Sequence, residues 1–216
     1  DVLTHATEAY TSNFANDYTD GIALQTIKLV FQYLEKSVKT ADPEAREKMH
    51  NASTMAGMAF ANAFLGMSHS MAHKIGGVHH TVHGRTNAIL LPYVIRYNGT
   101  RPSKTTTWPK YNYWKADEKF QDIAKMLGLP HSTPEEAVEA YAKAVYDLGV
   151  AVGIKMNFKD QGIDEKTWKD SLHEIALLAY EDQCSPANPR LPMVADMEEI
   201  LADAYHGYAK KPGRRK

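Results

Sequence analysis

The sequence predicts one all-α domain, helical and bundle-like, over residues 1–216. Three observations carry that prediction. Apolar residues recur at the i, i+3, i+4, i+7 spacing of amphipathic helices, helix-start signals punctuate the chain, and alternating strand patterns are scarce. No Asn-Gly or Asp-Gly dipeptide joins two β-branched runs, since Asp20-Gly21 precedes a helical run.

In chain order, Asp1-Val2-Leu3-Thr4-His5-Ala6-Thr7-Glu8-Ala9-Tyr10 already reads as the inside of a helix. With no initiator Met, it reads as a piece of a longer polypeptide. Ile27, Val30, Phe31 and Leu34 form the next apolar stripe. Asp42-Pro43-Glu44 supplies an N-cap, a proline at the first helical position and an early acid for the dipole. A helix over Asn87–Asn98 kinks or ends at Pro92. Gly99–Ala116, rich in Thr, Pro, Trp, Tyr and Lys, reads as a long ordered loop with docked aromatics. Thr133-Pro134-Glu135-Glu136 reads as a capping box, followed by the stripe Val138, Tyr141, Val145 and Leu148. Trp168, Leu172, Ile175 and Ala179 make another stripe, and Met197, Ile200, Leu201 and Ala204 a third.

A length of 216 residues suits one large domain, and 44% hydrophobic content can fill its core. Basic residues number 25 and acidic residues 26, which gives no electrostatic case for nucleic acid or an anionic membrane. The basic tail Lys210–Lys216 reads as a solvated terminus. A single cysteine, Cys184, excludes an internal disulfide framework and points to a reducing, cytoplasmic compartment. No signal-peptide pattern is present. Met49–His73 carries no charged side chain, yet His50, Asn51, Asn62 and Ser68 among others would be penalised in lipid. It reads as the buried central helix of a soluble protein.

The histidines bring in chemistry. The chain has ten, of which His69, His73, His79, His80 and His83 fall within one fifteen-residue window. Residues four apart share a helix face, ~6 Å apart along the axis. Asp1 and His5 have that spacing, as do His69 and His73. His83 follows across Gly76-Gly77, where the chain can turn back. Such donors suit a borderline divalent ion such as Fe²⁺ or Zn²⁺. A zincin needs Glu directly after its first His, and Ser70 stands there, which excludes that peptidase pattern. By itself the cluster indicates a metal site without choosing among the histidines.

Four motifs then carry a resemblance: Asp1-Val2-Leu3-Thr4-His5-Ala6-Thr7-Glu8, Gly66-Met67-Ser68-His69-Ser70-Met71-Ala72-His73, Val82-His83-Gly84-Arg85-Thr86-Asn87-Ala88, and Cys184-Ser185-Pro186-Ala187-Asn188-Pro189-Arg190. In order and spacing the chain resembles the C-terminal catalytic domain of iron-dependent (group III) alcohol dehydrogenases. That domain is of the dehydroquinate synthase-like C-terminal type. The Arg101–Tyr113 loop and Asp182-Gln183-Cys184 resemble the alcohol dehydrogenase half of bifunctional aldehyde-alcohol dehydrogenases. Val82 departs from relatives that carry Pro before the His-Gly pair.

The resemblance implies that Asp1, His5, His69 and His83 ligate Fe²⁺, with Zn²⁺ possible in a purified sample. It implies that His73 is a non-ligating catalytic histidine facing substrate and nicotinamide. Phe60 and Cys184 match positions that wall the substrate pocket, and His79 and His80 are expected at the surface. The implied reaction reduces a short aldehyde, acetaldehyde foremost, with NADH, the metal polarising the carbonyl oxygen and His73 relaying the proton. The thirteen glycines are scattered and form no phosphate-binding turn between strand and helix. NAD(H) would bind through an N-terminal domain outside this chain. The intact protein is expected to form a homo-oligomer or helical filament. Two rivals stand beside this reading: a zinc-dependent polyol (glycerol-type) dehydrogenase domain and a purely structural module for filament assembly.

The ligand set has a direct test. His69→Ala or His83→Ala is expected to abolish tight metal binding, measured as metal retained after dialysis, whereas His79→Ala and His80→Ala retain it. Equal retention in all four variants refutes the assignment.

Overall fold

The computed structural model describes residues 1–102 and 114–207, and the described residues form nine α-helices, one short 3-10 turn and no strand. The all-α prediction holds. None of the described helices is long and apolar enough to cross a membrane.

Helix α1 (Val2–Thr11) leads into α2 (Asp17–Lys39), which starts at a reciprocal cap. The Asn16 side chain accepts from the Tyr18 and Thr19 amides, and the Asn16 amide donates to the Thr19 hydroxyl. Asp20-Gly21 therefore lies inside α2, not ahead of it. Helix α3 (Pro43–Ala63) begins as the sequence predicts, with Asp42 accepting from the Ala45 amide at 2.9 Å. Helix α4 (Met67–His79) follows after Phe64-Leu65-Gly66. There Phe64 takes φ 61° and ψ −173°, a conformation that costs a non-glycine residue on the order of 1–3 kcal/mol.

The chain reverses after α4 at His80, which adopts a left-handed φ of 52°. Gly76 and Gly77 lie within the helix and do not make the turn. Helix α5 (His83–Gly99) continues past Pro92 and does not end there. Helix α6 (Ala116–Leu127) closes on Gly128 at φ 70°. Together α5 and α6 shorten the expected Gly99–Ala116 loop, and residues 103–113, with most of its aromatics, lie outside the described residues. So does Lys210–Lys216. Trp114 is buried, its indole N–H donating to the Asn98 carbonyl at 2.8 Å.

Helix α7 (Pro134–Ala151) has half of the expected capping box. Thr133 accepts from the Glu136 amide, but the Glu136 carboxylate takes the Ser132 amide instead of that of Thr133. Asp164 caps α8 (Glu165–Tyr180), and the turn Ser185–Ala187 precedes α9 (Val194–His206).

Two apolar clusters make up the core. The first gathers α1, α2, α3, α6 and α7 with Leu91 and Ile95 of α5, and the second gathers α4, α8 and α9 with Ile89, Leu90, Tyr93 and Val94 of α5. Helix α5 is therefore the central helix, buried on two faces because each cluster claims one. This corrects the expectation placed on Met49–His73. That stretch is two helices, and α3 is largely exposed outside an alanine stripe (Ala45, Ala52, Ala56, Ala59, Ala63) that lets it lie close to its neighbours. Missing charge marks an alanine-rich contact in α3, while residues 65–72 are buried as expected.

Where α5 ends, it meets α7 at backbone distance. A Cβ on Gly99 would overlap both methyl groups of Val138, a side chain stiff at χ1. Gly99→Ala is expected to destabilise the fold by about 1–3 kcal/mol, the usual cost of overpacking. A lowered urea midpoint with unchanged slope checks it.

Candidate metal centre

The histidines meet where the two core clusters meet. Helix α1 supplies Asp1 at its N-cap position and His5 one turn on; α4 supplies His69 and, one turn on, His73; α5 opens with His83. Donor atoms of Asp1, His69 and His83 all lie within 4.8 Å of one another. The Asp1 carboxylate oxygen Oδ1 is 3.2 Å from Nδ1 of His83 and 3.6 Å from Nε2 of His69. His5 stands beside this set without joining it. Its Nδ1 is 3.8 Å from Asp1 Oδ2, and its ring lies 4.4 Å from that of His69.

One atom shows what the arrangement lacks. His69 is 1% exposed, and its Nε2 has no hydrogen-bond partner. Among the described residues only the Trp168 indole nitrogen shares that condition. A buried polar atom without a partner costs about 1–3 kcal/mol. A metal ion beside Asp1 Oδ1 would satisfy it, so these residues fit a divalent cation. Burial first, then the neighbouring His69, depresses the His5 pKa to about 3, and burial likewise lowers that of His83. Both rings are thereby kept neutral, the form that ligates metal.

The sequence reading missed the groups that hold these donors. Glu8, only 3% exposed, binds His69 Nδ1 through Oε2 at 2.6 Å and accepts the Ser68 amide through Oε1 at 2.7 Å. An ionised carboxylate accepts only, so Nδ1 carries the proton and Nε2 is left with its lone pair. Asn87, one turn beyond His83, donates to Asp1 Oδ1 at 3.1 Å and accepts from Ser68 Oγ at 3.1 Å. Glu8 and Asn87 stand inside the quoted motifs. The signal that could have singled them out is their helical spacing, three residues after His5 and four after His83.

The remaining predicted residues lie around the same point. Phe60 of α3 stacks on His5 at 4.6 Å between ring centroids. The His73 ring is 5.5 Å from that of His83 and 6.0 Å from that of His69. Cys184 is buried beside His73 and Asp182. Burial and the Asp182 carboxylate push its thiol up to about 12, which keeps it a neutral thiol. His80 is exposed, as expected, but His79 is not simply a surface residue. Its Nε2 meets Ser171 Oγ at 2.9 Å and its ring lies 5.3 Å from Trp168, on the far end of α4 from His69.

Glu8→Gln is expected to weaken metal affinity about 10–100-fold, the usual effect of removing a partner that orients a ligand. Competition of the variant against a chelator measures it. Unchanged affinity would remove Glu8 from the centre.

Comparison with known proteins concerns the chain as a whole. A model of the Fe-containing alcohol dehydrogenase family, C-terminal, matches residues 1–205. An aldehyde-alcohol dehydrogenase of Streptococcus pneumoniae serotype 2 is 77% identical over 216 residues, covering 100% of this chain and 24% of that protein. A crystal structure of a 1,3-propanediol oxidoreductase superposes with a TM-score of 0.82 at 36% identity, over 95% of this chain and 50% of the other. A sulfoacetaldehyde reductase from Bifidobacterium kashiwanohense, solved in complex with NAD⁺, superposes with a TM-score of 0.72 at 26% identity, over 94% of this chain and 47% of the other. The chain thus spans only a part of the proteins it matches. Over that part it belongs to the Fe-containing alcohol dehydrogenase family and corresponds to the family's C-terminal region.

Proposed function

We propose that this chain is the metal-binding, substrate-facing domain of an NAD(H)-dependent alcohol dehydrogenase. It interconverts short-chain aldehydes, acetaldehyde foremost, and primary alcohols. The observation that carries this reading is the unpartnered Nε2 of buried His69, fixed from behind by Glu8 and 3.6 Å from the Asp1 carboxylate.

Asp1, His5, His69 and His83 would hold the ion, Fe²⁺ in this reading, with Zn²⁺ able to use the same donors. When bound, the metal supplies Lewis acidity toward the substrate oxygen, and NAD(H) carries the hydride. The residues do the rest. One carboxylate and three neutral rings leave net positive charge at the site, which favours negative charge developing on a substrate oxygen. His73, at 33% side-chain exposure, is open enough to meet substrate and take the alcohol's proton on oxidation, returning it on reduction. Phe60 and the neutral Cys184 thiol would wall the pocket. In this reading NAD(H) binds through a domain outside this chain.

A filament module, the rival reading, has no use for a buried imidazole nitrogen left bare beside a carboxylate. The zinc polyol rival expects fewer histidine donors than the three of this reading, His69 and His83 at Asp1 and His5 beside them, 3.8 Å from Asp1.

The test belongs in the intact enzyme. His73→Gln is expected to keep full metal content while ethanol oxidation by NAD⁺ falls ~10²-fold. Lost metal would make His73 a ligand, and unchanged turnover would remove it from the reaction.

A further inference from the structure

Asp182 follows α8 and enters none of the roles above, yet its carboxylate takes three partners beside His73. Its side chain is 7% exposed. Oδ2 meets the Lys74 ammonium at 2.9 Å and His73 Nδ1 at 3.3 Å, and Oδ1 accepts the Cys184 amide at 3.0 Å. The carboxylate stays ionised: burial pushes its pKa up, but the bonds from Lys74, the Cys184 amide and His73 outweigh it, and the net direction is down.

We propose that Asp182 is a positioning residue that holds the His73 proton on Nδ1, leaving Nε2 as a bare acceptor for the substrate hydroxyl. The second half of this statement rests on the alcohol dehydrogenase reading; the first does not. A carboxylate can only accept, so the imidazole nitrogen facing it must be the protonated one. The lone pair then sits across the ring, away from Asp182. Glu8 acts on His69 in the same way one helical turn earlier, and α4 thus presents two imidazoles with the same tautomer, each set by a buried carboxylate from another element.

A merely structural role is the alternative: Asp182 would tie its loop to α4 through Lys74 and leave His73 indifferent. The chemistry of the partners separates the two. Lys74, the Cys184 amide and His73 are all donors toward the carboxylate. In Asp182→Asn one end becomes an NH₂ group that also donates. With Oδ1 retained by the Cys184 amide, that NH₂ faces Lys74 and His73. Lys74 can swing into solvent, and His73 alone can change from donor to acceptor by moving its proton to Nε2.

The experiment is a long-range ¹H–¹⁵N correlation spectrum of the metal-free chain at about pH 8, where imidazoles are neutral. The His73 signals are assigned by their loss in His73→Gln. The expected result is the Nδ1–H form in the unaltered chain, the Nε2–H form in Asp182→Asn, and the Nδ1–H form retained in Lys74→Met, which breaks only the salt bridge. In the intact enzyme, Asp182→Asn is expected to lower kcat about 10–100-fold with unchanged metal content. An unaltered chain already in the Nε2–H form, no tautomer change in Asp182→Asn, or an equal change in Lys74→Met overturns the proposal. The spectrum reads the positioning role without turnover, so its failure is distinguishable from failure of the dehydrogenase reading.

Discussion

The site depends on one buried carboxylate. Glu8 lies beneath the N-terminus of α4, where it accepts the Ser68 amide and binds the His69 ring. An ionised carboxylate without partners in such a place would be prohibitively costly. Here the Ser68 amide, which has no partner within the helix, and the positive end of the α4 dipole stabilise it. Because Glu8 belongs to α1, the same bond that solvates the charge locks α1 against α4. It also sets the His69 tautomer, so helix packing and ligand chemistry are decided by one group.

Side-chain amides complete that lock. Asn188 accepts the Met67 amide through Oδ1 at 3.1 Å, donates to Asn98 Oδ1 at 2.7 Å, and its carbonyl receives Asn13. Four segments are thereby joined at the start of α4, the end of α5, the exit from α1 and the turn before α9. Gly66 allows the approach, since a Cβ there would lie 2.6 Å from Asn188 Oδ1 and 3.0 Å from Glu8 Oε1. Gly84 does the same for Asp1, whose Cβ would be 3.2 Å from an added one. The strained Phe64 is the counterpart: its backbone bends so that α4 can start at these acceptors.

The position of the site follows from the two-cluster core. Side chains of α1 reach it from the first cluster and those of α4 from the second, while α5 crosses both and contributes His83 and Asn87 at its first turns. A centre built from three helices across a packed seam is held rigidly, which is what ligands and a proton-carrying histidine need to keep their geometry.

Much of this was legible in the chain because it is local. Helix starts at Asp42 and Thr133 and the stripes through Val138, Trp168 and Met197 are set by neighbours within a few residues, and so is the shared face of His69 and His73. The family resemblance implied a set of Asp1, His5, His69 and His83, and the fold gathers Asp1, His69 and His83 with His5 beside them. Other features depend on partners tens of residues away, which no local spacing encodes. Pro92 could not announce that two cores would bury α5 on both sides and carry it through, nor could an uncharged run from Met49 to His73 announce a break at Phe64. Glu8, Asn87 and Asp182 look like ordinary polar residues until the fold brings His69, Asp1 and His73 to them. The sequence by itself determined which residue types were available to bind a metal. Tertiary structure decided which nitrogen of each imidazole is left bare, because only a packed neighbour can choose which one holds the proton.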